Sequence, residues 1–226
     1  MVLKGQFLER PTVIVSEGQY LEGLSHRGQV APALLICSPH PLQGGSMDAP
    51  ICAELAFAAS QAGHATLRFN YRGAGASQGT LSGEHAATVA DARAAMELLL
   101  QNVPHRAVVA AGYGYGAEVA IELALSGAPL AGVVVIAPET SRYDYARLGK
   151  VTVPGLIVVP GEDTSVDRHA LAAHCQSTGD QLVVIPEADR VFTSGLPAAG
   201  KAVVEFLKGA TGGLSSPGST EPIDLA

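Results

Sequence analysis

The 226-residue chain has only three cysteines, few charged residues and few aromatic ones, and it has no tryptophan. Cys37, Cys52 and Cys175 are widely spaced and form no C-x-x-C pair. This spacing argues against a zinc site, a redox pair or a disulfide framework. We therefore expect reduced thiols, a cytoplasmic location, and neither a metal nor another cofactor.

Long apolar runs and basic clusters are absent too. No apolar run approaches the length needed to cross a membrane, and Met1–Gln6 lacks the apolar segment of a signal peptide. The formal net charge is −7, and no cluster of lysine and arginine offsets it. We expect neither a membrane span nor nucleic-acid binding.

What the chain does contain is a glycine-rich turn, Ala111-Gly-Tyr-Gly-Tyr-Gly-Ala117. An apolar run at 107–110 predicts a buried strand before it, and residues 118–126 predict a helix after it. Strand, tight turn and helix in this order are the context of a nucleophile elbow, G-x-S-x-G. The nucleophile's place in that pattern is occupied by Gly114.

Strands and helices alternate along the rest of the chain. Strands are predicted at 12–15, 19–24, 33–37, 66–70, 107–110, 132–137, 155–159 and 181–185. Helices are predicted at 48–62 with Asp48 as cap and Pro50 in the first turn, 86–100, 118–126, 166–176 and 198–207. This order predicts a mostly parallel sheet with helices on both faces. The stretch between Ala137 and Pro154 is too short for a cap domain.

Residues 1–209 are predicted to form one domain, and residues 210–226 a tail rich in glycine, serine and proline. Ile223 and Leu225 alternate with polar or small residues near its end. An extended segment of this kind could dock on a protein partner or a second copy of the chain.

Two longer segments resemble a known family. Ser38–Met47 reads S-P-H-P-L-Q-G-G-S-M and resembles the H-P-H-P-L-x-G-G-x-M segment of small bacterial α/β-hydrolases of the dienelactone-hydrolase-like type. Leu67–Gly79 is similar to their L-R-F-N-[FY]-R-G-x-G-x-S-x-G, and Gly83-Glu84 with Asp91-Ala92 is similar to their next helix. The resemblance covers roughly Glu9 to Gly209, and it implies the α/β-hydrolase fold.

The resemblance also implies a Ser-Asp-His triad in that chain order. The serine position holds Gly114, and Asp163 stands at the acid position. The histidine is expected in a segment like P-x-A-D-H-x-F, and this chain has Arg190 there. Glycine carries no nucleophile, and arginine cannot accept a proton near neutral pH. The triad is therefore predicted to be degenerate. Arg190 could pair with Asp163, or it could face the pocket and bind a small anionic ligand.

The candidate pocket residues are His40, Leu42, Tyr113, Tyr115, Asp163 and Arg190. Oxyanion donors are expected from the N–H of Tyr115 and from the loop at His40–Leu42. His40 could act as a base or pack the loop. The hydroxyls of Tyr113 and Tyr115 could bind a ligand, or their rings could fill the space of the missing serine.

Other residues have simpler interpretations. Cys37 is expected to be a buried, inert thiol. Arg68 and Arg72 are expected to support their loop, with anion binding as the alternative. His169 and His174 are five residues apart, which is not a metal-ligand spacing on a helix.

Three functions stay open. The chain could be a non-catalytic hydrolase-like subunit that binds a partner protein or a small ligand. It could instead be a lyase, isomerase or cyclase that uses the pocket without a covalent serine. Finally, it could be a hydrolase with a displaced nucleophile at Cys37 or Ser38.

Overall fold

A central eight-stranded sheet organises the computed structural model, which describes residues 8–210 apart from 105, 141 and 143–144. The spatial order of the strands is β1-β2-β4-β3-β5-β6-β7-β8. β1 pairs antiparallel with β2, and β2 with β4, whereas all other neighbours are parallel. The strands are β1 (Arg10–Ser16), β2 (Gln19–His26), β3 (Val30–Cys37), β4 (His64–Phe69), β5 (Val108–Tyr113), β6 (Leu130–Ile136), β7 (Gly155–Pro160) and β8 (Gln181–Ile185).

Helices cover both faces of this sheet. One face packs against α2 (His85–Asn102), α3 (Tyr115–Leu125) and α4 (Arg168–Thr178). The other packs against α1 (Pro50–Gln61) and α5 (Leu196–Ala210). Every residue of β4 and of β7 is buried, as expected for strands sandwiched between two helical layers. The predicted α/β-hydrolase fold is confirmed.

The start of α1 differs from the prediction. Asp48 does not cap this helix: Ala49 occupies the cap position and makes no side-chain hydrogen bond there. The carboxylate of Asp48 instead accepts a hydrogen bond from Arg68, at 3.1 Å. The carboxylate binds the buried guanidinium of Arg68 rather than a backbone N–H of the helix, because a hydrogen bond from a charged donor is stronger. Pro50 does lie in the first turn, as predicted.

The parallel strands bring several loops to one edge of the sheet. The loops after β3, β5, β6, β7 and β8 all follow carboxyl ends of neighbouring parallel strands. Between β6 and β7, the described residues contain only a 3₁₀ turn at Tyr145–Lys150. The edge therefore carries short loops, and a cleft opens there.

Candidate functional site

The turn between β5 and α3 has the backbone of a nucleophile elbow. Tyr113 ends the strand, Tyr115 begins the helix, and Gly114 between them has φ +55° and ψ −114°. A β-carbon on Gly112 would lie 2.0 Å from the carbonyl oxygen of Gly116, so strand and helix approach closely at this turn. The frame that presents a nucleophile is intact, although residue 114 has no side chain.

Arg190 is the residue from a distant segment that lies nearest to the missing side chain of Gly114. Apart from the adjacent residues Tyr113 and Tyr115, a β-carbon built there would have one neighbouring atom within 4 Å, Nη2 of Arg190 at 3.9 Å. The guanidinium of Arg190 therefore lies over the point where a serine side chain would begin.

Arg190 binds the residue at the acid position. Its Nη1 lies 3.1 Å from Oδ2 of Asp163 and donates a second hydrogen bond to Oγ of Ser165 at 2.8 Å. The other oxygen of Asp163, Oδ1, accepts from the N–H and the hydroxyl of Ser165 at 2.9 and 2.6 Å. The Asp163 side chain is 4% exposed and that of Arg190 is 32% exposed. Of the two roles predicted for Arg190, the ion pair with Asp163 is present.

A second carboxylate, which the sequence reasoning missed, completes this group. Nη2 of Arg190 lies 3.1 Å from Oε1 of Glu139, in the loop after β6. Oε2 of Glu139 lies 3.6 Å from Nη1 of Arg142, an exposed side chain. Arg190 thus ties together the loops after β6, β7 and β8. In the sequence, Glu139 could have been found only from its position, two residues after the predicted strand 132–137, which ends at the same edge of the sheet as the elbow.

The two elbow tyrosines point in different directions. The hydroxyl of Tyr113 donates to the backbone carbonyl of Arg190 at 2.8 Å, and burial raises the pKa of this phenol. The hydroxyl of Tyr115 lies 2.7 Å from Oγ1 of Thr88 and 3.1 Å from Nδ1 of His85, beneath α2. Both hydroxyls thus bind groups of the protein. Both residues still contribute to the lining of the cleft.

His40 organises the loop after β3. Its Nδ1 accepts a hydrogen bond from the N–H of Leu42 at 3.2 Å, and its ring lies 4.5 Å from the Tyr115 ring. Burial, and to a smaller extent the charge of Arg142, lower the pKa of His40. The N–H groups of Gln43 and Gly45 both donate to the carbonyl of His40.

These bonds narrow the choice of oxyanion donors in the loop. Leu42 is 56% exposed and lies outside the cleft lining, and its N–H is directed at His40. Pro41 has no N–H. Within the predicted range His40–Leu42, the backbone N–H of His40 is the remaining candidate for a second oxyanion donor.

The two residues suggested as displaced nucleophiles are both buried. Cys37 is completely buried, and burial raises the pKa of its thiol well above the ordinary value. Ser38 is 1% exposed and donates its hydroxyl to the carbonyl of Phe69 at 2.5 Å. Neither lies in the cleft lining. Cys52 is buried as well, and burial raises the pKa of its thiol to about 12.

The remaining candidates have structural partners. Arg68 binds Glu9 through two hydrogen bonds, and Arg72 binds the fully buried Asp91. Nε2 of His174 lies 2.9 Å from Oδ2 of Asp180. No group of histidine, cysteine and carboxylate side chains suited to a metal occurs among the described residues.

The cleft at the elbow has a volume of about 480 Å³. Its wall is formed largely by loop segments, and these carry charged side chains of both signs. It is lined by Pro39, His40, Gln43, Gly44, Gly45, Ser46, Asp48, Ala49, Pro50, Tyr113, Gly114, Tyr115, Glu139, Arg190 and Val191. Arg190 is the cation of this lining, and Asp48 and Glu139 are its carboxylates.

Comparison with known proteins identifies the family. Residues 25–199 match the family model of the X-Pro dipeptidyl-peptidase (S15 family). The chain belongs to this family. An uncharacterized protein of Rickettsia prowazekii is 30% identical over 202 residues, which cover 84% of this chain and 83% of that protein.

Solved structures agree with the fold of this peptidase family member. An α/β serine hydrolase homologue from Coxiella burnetii is 26% identical and superposes with a TM-score of 0.77 over 92% of this chain and 99% of that one. An α/β serine hydrolase without lid from Xanthomonas campestris is 22% identical, with a TM-score of 0.74 over 92% and 98% of the two chains. The second likeness concerns the fold alone. In the part of the chain described here, no helix combines the length and hydrophobicity needed to span a membrane.

Proposed function

We propose that this chain is a non-hydrolytic member of its family that binds a small ligand in the elbow cleft. The observation that carries the proposal is the ion pair between Arg190 and Asp163, formed beside a glycine at the nucleophile position. In a Ser-His-Asp centre the acid orients a histidine, which removes the proton of serine. Here the acid holds a permanent cation, and no hydroxyl stands at residue 114.

Residual catalysis by the cleft is a weak substitute for this chemistry. An oxyanion hole without a triad accelerates acyl transfer by roughly 10³–10⁴-fold over water, far below an esterase. Deep burial of Cys37 and Ser38 argues against a displaced nucleophile. The alternative of a lyase, isomerase or cyclase would need a proton-transfer group in the cleft. His40, Asp48 and Glu139 are the lining residues of a type that transfers protons, but Nδ1 of His40 accepts from the loop backbone and both carboxylates bind arginines.

The finer assignments belong to the same proposal. We regard residues 1–209 as one hydrolase-like domain of dienelactone-hydrolase-like type in a cytoplasmic protein. Residues 210–226 would be a tail by which it joins a complex, although α5 includes Ala210. Residues 211–226 lie outside the described part of the chain.

A labelling experiment tests the loss of hydrolysis. The protein is incubated with a fluorophosphonate probe and with short-chain nitrophenyl esters, beside an active serine esterase as positive control. We expect no stoichiometric labelling at the elbow. We also expect the rate of ester turnover to be no higher than that of the Arg190→Ala variant. Stoichiometric labelling within Ala111–Ala117, or turnover typical of esterases, would contradict the proposal.

A further inference from the structure

The strand β1 lies at one end of the sheet, far along the strand order from the elbow. Among the described residues it pairs with β2 alone, so its other side is a free edge. The unpaired backbone groups of such an edge bind another strand unless charged residues, prolines or a covering element prevent it.

Two valines of β1 present their backbone groups to this free edge. Ser16 and Gln19 flank a two-residue turn and form the last residue pair of the hairpin. In an antiparallel hairpin of this kind the flanking pair exchanges hydrogen bonds, and bonded pairs then alternate with non-bonded ones. Val13 and Val15 fall in the non-bonded pairs, so their N–H and C=O groups point away from β2.

The hydrogen bonds on the other side of β2 agree with this alternation. The carbonyl of Tyr20 accepts from the N–H of Gln78, and the carbonyl of Glu22 accepts from the N–H of Asn70, both at 2.9 Å. These two β2 residues therefore direct their backbone away from β1. The residues opposite them in the hairpin are the two valines.

The side chains at this edge are apolar and exposed. Val13 is 64% exposed, Val15 is 61% exposed, and Tyr20, directly opposite Val15, is 55% exposed. Ile14 between the valines is buried on the other face, in the cluster that includes α2. On the face of the valines, α1 packs mainly against β3 and β4. Contiguous exposed apolar residues of this kind mark an interaction surface.

We propose that β1 pairs antiparallel with β1 of a second copy of the chain, about a two-fold axis. Placing Val13 opposite Val15 of the second copy lets both valines of both copies donate and accept, which gives about four hydrogen bonds. A shift by two residues would place Val15 opposite Pro11, which has no N–H. The valine side chains of the two copies then lie side by side on one face.

Charges at the two ends of β1 favour a second copy in this direction. Arg10 begins the strand, and its exposed guanidinium has no ion-pair or hydrogen-bond partner in the described part of the chain. Glu17 follows the strand, and its side chain is 64% exposed. Antiparallel pairing brings Arg10 of each copy near Glu17 of the other, whereas parallel pairing would bring like charges together. A second copy supplies this complementarity by symmetry, at both ends of the interface.

Sedimentation velocity of the full chain over a concentration series of about 1–300 μM is the test. An interface built on one edge strand is small, so we expect a dimer with a dissociation constant of about 10–100 μM. Val13→Lys with Val15→Lys places like charges opposite each other and should weaken the dimer at least about tenfold. The matched control, Phe57→Lys with Val184→Lys, adds the same charge at two exposed apolar side chains outside β1 and should dimerise like the parent protein.

A charge-swapped variant tests the register. In Val13→Lys with Val15→Glu, each lysine faces a glutamate of the other copy, so its dimer should be clearly stronger than that of the double-lysine variant. A parent protein that stays monomeric, or equal dimerisation of the double-lysine variant and its control, would overturn the proposal. A charge-swapped variant as weak as the double-lysine variant would overturn it as well. Thermal melting verifies that each variant is folded, which we expect because both valines are exposed.

Discussion

The hydroxyl of Tyr113, the last residue of β5, holds the backbone of Arg190 through a 2.8 Å hydrogen bond to its carbonyl oxygen. Phe192 packs edge-on against the same tyrosine ring, at 6.2 Å between centroids. The loop after β8 is therefore anchored to the elbow by contacts that do not involve the arginine side chain. Substitutions of that side chain should remove its charge without releasing the loop.

The first prediction concerns Arg190→Ala. It leaves the carboxylate of Asp163, which is 4% exposed, without its cation. The free energy of unfolding should therefore fall by about 1–3 kcal/mol. This is between the values for an exposed and a buried ion pair, because Arg190 is itself about a third exposed. Urea denaturation measures it.

The control for this prediction is Arg168→Ala, which removes an exposed charge whose Nη1 donates only to the carbonyl of Gly161. It should change stability by no more than about 0.5 kcal/mol. If Arg190→Ala proves as harmless as this control, the ion pair does not stabilise the protein. The alternative role, anion binding in the elbow cleft, would then be favoured.

The second prediction concerns restoring the triad with Gly114→Ser and Arg190→His. We expect a folded protein with no efficient ester turnover. The N–H of Leu42 is committed to His40, and Ser165 already occupies Oδ1 of Asp163. A misplacement of about 1 Å in a catalytic group can lower the rate roughly 10²-fold.

Nitrophenyl ester hydrolysis measures the second prediction, with Gly114→Ala and Arg190→His as the matched pair lacking the hydroxyl. If Gly114→Ser with Arg190→His hydrolyses the esters much faster than Gly114→Ala with Arg190→His, the oxyanion donors are still in place. The expectation that the loop at His40 and the Asp163 carboxylate no longer suit a triad would then be wrong.

The third prediction concerns pH and His64. This histidine is 1% exposed, Nδ1 lies 2.8 Å from the carbonyl oxygen of Pro32, and burial lowers its pKa. As the pH falls through the unfolded-state value of about 6.5, the unfolded chain takes up a proton before the folded one does. Unfolding free energy should therefore fall from pH 7 to pH 5. Burial also lowers the pKa of His40 and of His85, so both contribute with the same sign.

His64→Gln should flatten this pH dependence, as measured by urea denaturation at several pH values. His169→Gln, on the exposed side of α4, is the control and should keep the slope of the parent protein. An unchanged slope in His64→Gln would mean that the buried imidazole does not contribute to the pH dependence of stability.

The fourth prediction comes from the sequence of the tail, which lies outside the described residues. Deleting Gly212 to Ala226 should reduce assembly size in light scattering and the recovery of co-purifying proteins. Replacing Ile223 and Leu225 by serine should have the same effect if their apolar side chains make the contact. If assembly and co-purification are unchanged in both variants, the tail has no docking role.

Most of the sheet could be predicted from local patterns, because its central strands are short and apolar and are bounded by turn residues. β8 begins and ends where the sequence predicts, at Gln181 and Ile185. β5 extends three residues further than the predicted 107–110 limit, through the first half of the glycine-rich turn. Gly112 lowers the predicted strand propensity of this segment. The segment is a strand all the same, because it pairs with β3 on one side and β6 on the other.

The site was less predictable, because its contacts join distant segments. The pairing of Arg190 with Asp163 followed from their places in the triad pattern. Glu139 has no motif around it, and its contact with Arg190 depends on a loop conformation that local propensity does not specify. The direction of the Tyr115 side chain depends on α2, which supplies Thr88 and His85. Side-chain partners of this kind require the tertiary packing.

The positive φ of Gly114 also bears on the direction in which such a protein evolves. A residue with a β-carbon in so unusual a backbone conformation is strained by roughly 1–3 kcal/mol, whereas glycine is not. Once ester cleavage is no longer selected, substitution to glycine at the elbow raises stability, and a cation beside Asp163 raises it again. Each step away from catalysis is thermodynamically downhill. If hydrolysis has been lost as proposed, the reverse path passes through less stable intermediates that gain no activity until both residues have changed.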